Sequence, residues 1–360
     1  MTVRVTLPSM ALATVATLVL AGCQSVAVDQ PTSETPVEGS TEAIEGTPES
    51  DGFLVVYSGR NEELVQPLID QFEAASGIEV EVRYGNTSEM AALLLEEGDA
   101  TRAGVFLSQD AGALGALAEE GLFVTLPEDL SSAIPQGFTS TTGEWVGVTG
   151  RARVIVYDAE TLSEDDLPTT ADGIVAPEWS GKVGVAPGNA SFQSFITAYR
   201  VIDGEGAAES WVAALKANDP VIFDNNGAIL EAVESGALPM GLINHYYWYR
   251  LVAERGEDSL RSKLWFTETG DPASIVNVTG AGVLQSAQLD QDAYDFVRYL
   301  ISADAQQYFV DTTSEYPLLP GVDAPAGLPA LETLVNPNLD LSDLKSLSES
   351  QELLARYGLL

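Results

Sequence analysis

The sequence predicts an α/β protein with a largely parallel sheet. Short apolar runs are each followed by a polar turn and then by a segment of helical periodicity, and this unit recurs along most of the chain. Hydrophobic residues make up 45% of the 360 residues, which is ample for large buried cores. Regular alternation of strands with helices is typical of α/β folds, in which helices cover a largely parallel sheet.

The first strand–helix units lie between residues 52 and 121. FLVVYSG is an apolar strand, and NEELVQPLIDQFEAASG after it places Leu64, Leu68 and Phe72 on one helical face. IEVEVRYG alternates apolar with charged residues, as a half-buried strand does, and SEMAALLLEEG follows as a helix. GVFLSQ and AGALGALAEEG repeat the arrangement.

Later segments continue the pattern and predict a shared ligand-binding edge. In such sheets the carboxyl ends of the strands meet helix N-termini, whose unpaired N–H groups favour ligands. The later units are KVGVAPGNASFQSFITAYRVI, PVIFDNNGAILEAVESG and PMGLINHYYWYRLVAERG. The polar turns expected along this edge are YSGRNEE, YGNTSE, SQDAGA, PGNASFQ, DNNGA and NHYY.

The N-terminal residues predict export and anchoring. Residues 1–22 contain Arg4, an apolar stretch and then small residues, as a signal peptide does, and the apolar stretch is too short for a convincing membrane span. LAGC resembles a lipobox, so we expect Cys23 to carry lipid; an ordinary signal peptide with an incidental cysteine is the alternative. Residues 23–51 are rich in Pro, Thr, Ser and Glu, which predicts a disordered acidic tether.

Composition excludes several classes of function. A net charge of −38 leaves no basic surface for nucleic acid. The acids are scattered, which favours a solvated surface over a specific cation-collecting patch. A single cysteine excludes an internal disulfide and a cysteine metal cluster. Walker-type and G-x-S-x-G motifs are absent and the chain has one histidine, so we predict that it is not an enzyme.

The stretch GLINHYYWYR predicts a ligand site at a strand–helix junction. A phenol has a pKa near 10, and a hard trivalent cation favours its ionised form by direct coordination. The helix start favours the phenolate at Tyr246 and Tyr247, and Arg250 shares the helix face of Tyr246. The alternative is that these aromatic residues only pack in an amphipathic helix. His245 binds metal, hydrogen-bonds a neighbouring backbone group or is exposed.

Six segments follow one another along the chain: VVYSGRNEELVQPLIDQFEAASGIEVEVRYG, LLLEEGDATRAGVFLSQDAGALGALAEEGL, GRARVIVYD, GKVGVAPGNASF, INHYYWYR and VNVTGAGVL. In this order they resemble the bacterial ferric-iron-binding proteins that hand iron(III) to a membrane ABC importer. The resemblance covers roughly residues 52–345 and implies a two-lobe, type II periplasmic-binding-protein-like fold, with a mixed sheet flanked by helices in each lobe and a ligand cleft between lobes. Because the chain crosses twice in such folds, we expect lobe 1 from 52–152 plus 277–327 and lobe 2 from 153–276 plus 328–360.

The resemblance implies a metal site in which Tyr246 and Tyr247 are the metal-binding tyrosines. The family also supplies a histidine and a carboxylate from the first lobe, and the aligned residues here are the neutral Asn61 and Gln109, with Asp110 next door as a substitute carboxylate. Either the second lobe holds the metal with water or an anion, or the ligand is an iron chelate, or it contains no iron. Further candidates for lining the cleft are Arg60, Tyr57 and Tyr84.

The resemblance also implies a site for a synergistic anion, phosphate or carbonate. PGNASF aligns with the family's anion loop, although Asn and Ser are also ordinary turn and capping residues. Of Arg151 and Arg153 near the expected lobe crossing, we expect only Arg151 to face the cleft. The anion-binding candidates are Asn189, Ala190, Ser191, Asn226, Asn244, Arg151 and Arg250.

The implied function is that of a monomeric extracytoplasmic solute-binding protein, held at the cell membrane only through its lipid. It would capture ferric ion, with a synergistic anion or as a chelate, and deliver it to the permease and ATPase of an ABC importer. The alternative is the same fold with a polyamine or an organophosphonate as its ligand. A third hypothesis is an adhesive surface lipoprotein without a small ligand.

Overall fold

The computed structural model describes residues 46–336 and 339–360. The predicted signal peptide, Cys23 and most of the predicted tether lie outside the described residues. Residues 46–360 form one compact unit. Within the described part of the chain, no helix is both long and apolar enough to cross a bilayer.

The end of the predicted tether makes hydrogen bonds to the folded part. The backbone N–H of Glu49 donates to the carbonyl of Leu289 at 2.9 Å, and the backbone N–H of Asp51 donates to the carboxylate of Asp292 at 3.2 Å. The last residues assigned to the tether therefore contact the folded body.

A ten-stranded mixed sheet runs through the described residues. Its strands are β1 (Phe53–Ser58), β2 (Glu79–Tyr84), β3 (Val105–Ser108), β4 (Val146–Asp158), β5 (Val183–Val185), β6 (Val221–Ile222), β7 (Met240–Asn244), β8 (Ser262–Trp265), β9 (Val276–Val283) and β10 (Tyr316–Pro317). The order is β2-β1-β3-β9-β4-β7-β5-β6, and β8 and β10 also pair with β4. The predicted parallel arrangement is confirmed for β1 with β2 and β3, and for β5 with β6 and β7.

Strand β4 joins the two halves of this sheet by antiparallel pairing. Its first half, up to Ala152, pairs with β9 and β10, and its second half, from Arg153, pairs with β7 and β8. All thirteen of its residues are buried. The predicted crossing points near residues 152 and 277 lie on β4 and β9, while the lobe boundaries themselves stay a prediction.

Thirteen α-helices surround the sheet in the described residues. They are α1 (Glu62–Ser76), α2 (Thr87–Glu97), α3 (Ala111–Glu119), α4 (Glu128–Ser131), α5 (Ala171–Ile174), α6 (Ala190–Asp203), α7 (Glu205–Ala217), α8 (Asn226–Glu234), α9 (His245–Arg255), α10 (Gln291–Leu300), α11 (Ala303–Tyr308), α12 (Leu331–Leu334) and α13 (Leu347–Arg356). Residues 309–313 add a short π-helical turn after α11.

All six predicted strand–turn–helix junctions are confirmed. They join β1 to α1, β2 to α2, β3 to α3, β5 to α6, β6 to α8 and β7 to α9. At four of them a polar side chain accepts a hydrogen bond from a backbone N–H of the first helical turn, as an N-cap does: Asn86, Asp110, Asn189 and Asn225. The starts of these helices therefore follow directly from the carboxyl ends of the strands.

The C-terminal segment packs against helices from both halves of the sheet. Gly112 in α3 lets the backbone approach closely, because an added Cβ would lie 2.8 Å from the carbonyl oxygen of Leu344. Arg200 in α6 donates to the carbonyl of Ser346 at 2.7 Å and to the hydroxyl of Ser350 at 2.9 Å. A single short stretch of chain thus contacts both α3 and α6.

Candidate functional site

The tyrosine pair lies in the first turn of α9, directly after β7. Tyr246 is only 2% exposed and Tyr247 is partly buried. Their rings stack with centroids 4.5 Å apart and planes 27° apart. Asn244 is the N-cap residue, and its side chain makes no capping hydrogen bond. Two phenols therefore share one end of a helix, where the helix dipole favours negative charge.

The electrostatics of Tyr246 favour the neutral phenol in the absence of a bound cation. Burial raises the pKa of Tyr246, and repulsion from an ionised Tyr247 adds to the effect. The positive charges of Arg60 and Arg151 act in the opposite direction but do not overcome burial. Ionisation of Tyr246 thus requires an additional positive charge.

Arg60 is held beside the tyrosines by a buried ion pair. Its guanidinium pairs with Glu315 and donates from Nη1 to the hydroxyl of Thr279 at 2.9 Å. Burial opposes the charge on Arg60, but Glu315 and the tyrosine pair hold its pKa above the usual value. Thr149 also donates to Glu315, so this carboxylate has two partners.

Arg151 and Arg153 both line one small cavity, so the expectation that only Arg151 faces the cleft is wrong. Side chains alternate with a period of two along a strand, and residues two apart therefore share a face. The cavity has a volume of about 10 Å³, room for about one water molecule. Its lining residues are Arg151, Arg153, Ser191, Asn244, Ile275 and Asn277.

The two guanidinium groups are buried with most of their donors unsatisfied by the described residues. Arg151 has no hydrogen-bond partner at Nε, Nη1 or Nη2, and Arg153 has none at Nε or Nη2. Arg153 Nη1 donates to the Ser191 hydroxyl at 3.1 Å. Burial lowers the pKa of Arg153 to about 9 and, together with repulsion from Arg60, lowers that of Arg151. Buried donors of this kind suit an oxyanion.

The predicted anion loop adjoins this cavity. Asn189 accepts from the backbone N–H of Ser191 at 3.0 Å and from its hydroxyl at 2.6 Å, and Ala190 is the buried first residue of α6. Asn226 donates to the Ser191 hydroxyl at 3.3 Å and leaves its own Oδ1 without a partner among the described residues. The structure therefore brings Ser191, Asn226 and Asn244 together with both arginines.

The candidates from the first three junctions differ in accessibility. Asn61 is exposed at the start of α1, and Gln109 is partly buried with its backbone N–H donating to the Thr87 hydroxyl at 3.3 Å. Asp110 is fully buried, and its Oδ1 caps α3 by accepting from the N–H of Ala113 at 3.1 Å. Its Oδ2 has no hydrogen-bond partner within the described chain. Burial raises the pKa of Asp110, and the cap and the Arg151 charge oppose that shift.

Two further candidates, Tyr57 and Tyr84, hydrogen-bond to residues outside this site, and Arg250 is exposed. The Tyr57 hydroxyl donates to Glu97 at 3.1 Å, and the Tyr84 hydroxyl donates to Gln66 at 2.6 Å. The positive charge of Arg250 partly offsets the effect of burial, which raises the pKa of Tyr308.

The choice left open for His245 is settled in favour of backbone hydrogen bonding. The N–H of Ala152 donates to Nδ1 at 3.0 Å, and Nε2 lies 2.9 Å from the carbonyl oxygen of Ser314. Burial lowers the pKa of His245 to about 4, so the imidazole is neutral at neutral pH.

Two residues of this region were missed by the sequence analysis. Asn277 lines the cavity, and its Oδ1 accepts from the N–H groups of Ala111 at 3.1 Å and Val278 at 2.7 Å. Its position in VNVTGAGVL could have suggested it, because that segment resembles the ferric-binding family. No comparable feature of the sequence points to Glu315 as a residue of this site. Within the described residues, no cluster of three or more His, Cys, Asp and Glu side chains is placed to hold a metal ion.

Comparison with known proteins identifies the family. A family model described as bacterial extracellular solute-binding protein matches residues 67–334. The chain belongs to this family. It is 32% identical over 311 residues to the major ferric iron-binding protein of Neisseria meningitidis serogroup B, covering 85% of this chain and 93% of that protein. It is 31% identical over 298 residues to iron uptake protein A2 of Synechocystis, covering 80% and 84%.

Solved structures confirm the predicted type II periplasmic-binding-protein fold. This solute-binding protein is similar to iron-bound HitA from Pseudomonas aeruginosa, with a TM-score of 0.80 and 32% identity, covering 85% of this chain and 99% of that chain. It is also similar to Trichodesmium IdiA (FutA) in complex with iron and citrate, with a TM-score of 0.72 and 27% identity, covering 86% and 100%.

Proposed function

We propose that this solute-binding protein captures ferric iron outside the cytoplasm and delivers it to an ABC importer. The observation that carries the proposal is the stacked phenol pair of Tyr246 and Tyr247 at a helix start, beside buried arginines. The similarity to proteins that are named for ferric iron supports it.

The tyrosines are proposed as the metal donors of this site. Phenolate oxygens are hard donors suited to a hard trivalent cation. A ferric ion supplies the positive charge that ionises Tyr246 against the effect of burial. From the first three junctions, Asp110 is proposed as a further donor because its Oδ2 is unpartnered among the described residues, with Asn61 and Gln109 as neutral alternatives.

An anion is proposed to complete the site. Two phenolates offset only two of the three ferric charges, and the guanidinium groups of Arg151 and Arg153 add positive charge nearby. Phosphate, carbonate or the carboxylates of a chelate would supply the missing negative charge and accept hydrogen bonds from the unsatisfied donors. The proposed anion contacts are Asn189, Ala190, Ser191, Asn226, Asn244, Arg151 and Arg153, with the exposed Arg250 as an outer contact.

The alternative ligands are less well matched. A polyamine would place several ammonium groups beside Arg151 and Arg153, whose guanidinium groups are buried and repel cations. An organophosphonate is compatible with those donors but leaves the phenol pair without a role.

We further propose that the chain is exported by its signal peptide, lipidated at Cys23 and tethered to the cell membrane as a monomer. Its partners would be the permease and ATPase of an importer. No catalytic role is proposed, and the strongly acidic composition argues against nucleic acid.

A titration with ferric citrate, with and without phosphate or carbonate, tests the function. The wild-type protein should develop visible tyrosinate–iron absorption, and the double variant Tyr246→Phe plus Tyr247→Phe should lose it. Tyr249→Phe is the matched control, because the Tyr249 hydroxyl donates to the carbonyl of Gly327. A colourless wild-type protein that is stabilised by a phosphonate would refute the proposal.

A further inference from the structure

We propose that His245 is a positioning residue that fixes the phenols of Tyr246 and Tyr247 relative to the Arg60–Glu315 ion pair. This inference rests on the proposed function, in which those phenols hold the ferric ion. His245 itself would touch neither the ion nor the anion.

The hydrogen bonds of His245 define its tautomer. Because the N–H of Ala152 donates to Nδ1 at 3.0 Å, the ring proton lies on Nε2, which donates to the carbonyl oxygen of Ser314 at 2.9 Å. The side chain is 0% exposed. Both ring nitrogens are thus used, and neither is left as a metal donor.

These two bonds connect parts of the chain that are far apart in sequence. Ala152 is the last residue of β4 that pairs with β9, and the next residue begins the pairing with β7, the strand that leads into α9. Ser314 follows the π-helical turn and precedes β10, which pairs with the first half of β4. The imidazole therefore ties the start of α9, which follows β7 of the second half of the sheet, to the first half.

The Ser314 bond matters because the next residue holds Arg60. Ser314 has a φ of 56°, a left-handed conformation that is unusual for a residue other than glycine and that needs support from its surroundings. Glu315 then pairs with Arg60 and accepts from Thr149. By fixing the Ser314 carbonyl, His245 fixes the point from which the Glu315 side chain reaches Arg60.

The imidazole ring also separates two aromatic side chains. Its centroid lies 5.0 Å from that of Tyr316 and 6.0 Å from that of Tyr246, with the latter ring nearly perpendicular at 88°. Tyr246 is thereby held between His245 and the stacked ring of Tyr247. The orientation of the phenol and the placement of the Arg60 charge beside it depend on the same side chain.

Two variants separate the two bonds. His245→Gln places an amide nitrogen near the position of Nε2 and can still donate to Ser314. His245→Asn places a polar atom near the position of Nδ1 and keeps only the acceptor for Ala152. For His245→Asn we expect the affinity for ferric ion to be about tenfold weaker and the tyrosinate–iron band to shift. For His245→Gln we expect an affinity within about threefold of wild type and an unshifted band.

Crystal structures of the iron-free variants give a readout that does not depend on iron. In His245→Asn the Ser314–Glu315 segment should move away from α9, and in His245→Gln it should stay. If both variants lower the melting temperature but keep the wild-type affinity, band and phenol positions, His245 is only structural and the inference is overturned. A wild-type protein without a tyrosinate–iron band would instead refute the proposed function, and the iron-free structures would still decide the positioning role.

Discussion

Replacing Tyr246 with phenylalanine should change the pH dependence of iron binding as well as its strength. Each phenol that binds as a phenolate releases one proton. Burial keeps Tyr246 protonated in the iron-free protein, because it raises the pKa of that phenol. One proton released costs the wild-type protein about tenfold in affinity, about 1.4 kcal/mol, for each pH unit of acidification. The variant avoids this loss at Tyr246.

The assay is a competition between protein and one soluble chelator at two pH values one unit apart near neutrality. The chelator has its own pH dependence, which cancels when the wild-type affinity is divided by that of Tyr246→Phe. That ratio should fall about tenfold on acidification by one unit. Tyr249→Phe should keep the wild-type pH dependence. An unchanged ratio for Tyr246→Phe would show that Tyr246 does not bind as a phenolate.

Three further predictions concern stability. Burial raises the pKa of Asp271, so ionisation of its carboxylate lowers the stability of the folded protein as pH rises through that pKa. Asp271→Asn should therefore raise the melting temperature at neutral pH. Below the unfolded pKa near 4 it should give no gain. Gly112→Ala should lower the free energy of unfolding, measured with denaturant, by about 1–3 kcal/mol because the added Cβ would meet the Leu344 carbonyl. Gly206 has open space around it, so Gly206→Ala should stabilise α7 by about 0.5–1 kcal/mol. Arg151→Met should stabilise the iron-free protein by on the order of 1 kcal/mol, because it removes a buried guanidinium group whose donors have no hydrogen-bond partner among the described residues. The same change should weaken anion-dependent iron binding. The first prediction is wrong if Asp271→Asn has the wild-type melting temperature at neutral pH. The second is wrong if Gly112→Ala keeps the wild-type free energy of unfolding. The third is wrong if Arg151→Met leaves the anion dependence of iron binding unchanged.

The strand–helix units and their junctions could be predicted because their signals are local. The apolar run, polar turn and helical periodicity around Tyr246 all lie within about twenty residues, and capping residues such as Asn189 and Asp110 adjoin the helices that they start. The same local logic could have placed Arg151 and Arg153 on one face, since a strand repeats every two residues.

The surroundings of the tyrosine pair could not be predicted in this way. Arg60 forms an ion pair with Glu315, which lies 255 residues later in the sequence. Nothing in the local sequence SEYPLL indicates that its glutamate is buried. His245 forms a hydrogen bond with Ser314, which lies 69 residues later in the sequence. Pairings at such separations depend on how the antiparallel strands β4, β9 and β10 bring distant segments together, which apolar periodicity does not encode.

The C-terminal segment limits how far its two anchor points can separate. Leu344 lies against Gly112 of α3, and Ser346 accepts from Arg200 of α6. Two residues of fully extended chain span at most about 7 Å. While both contacts hold, the C-terminal segment limits the separation of α3 and α6, and moving these helices further apart must first break one of the two contacts.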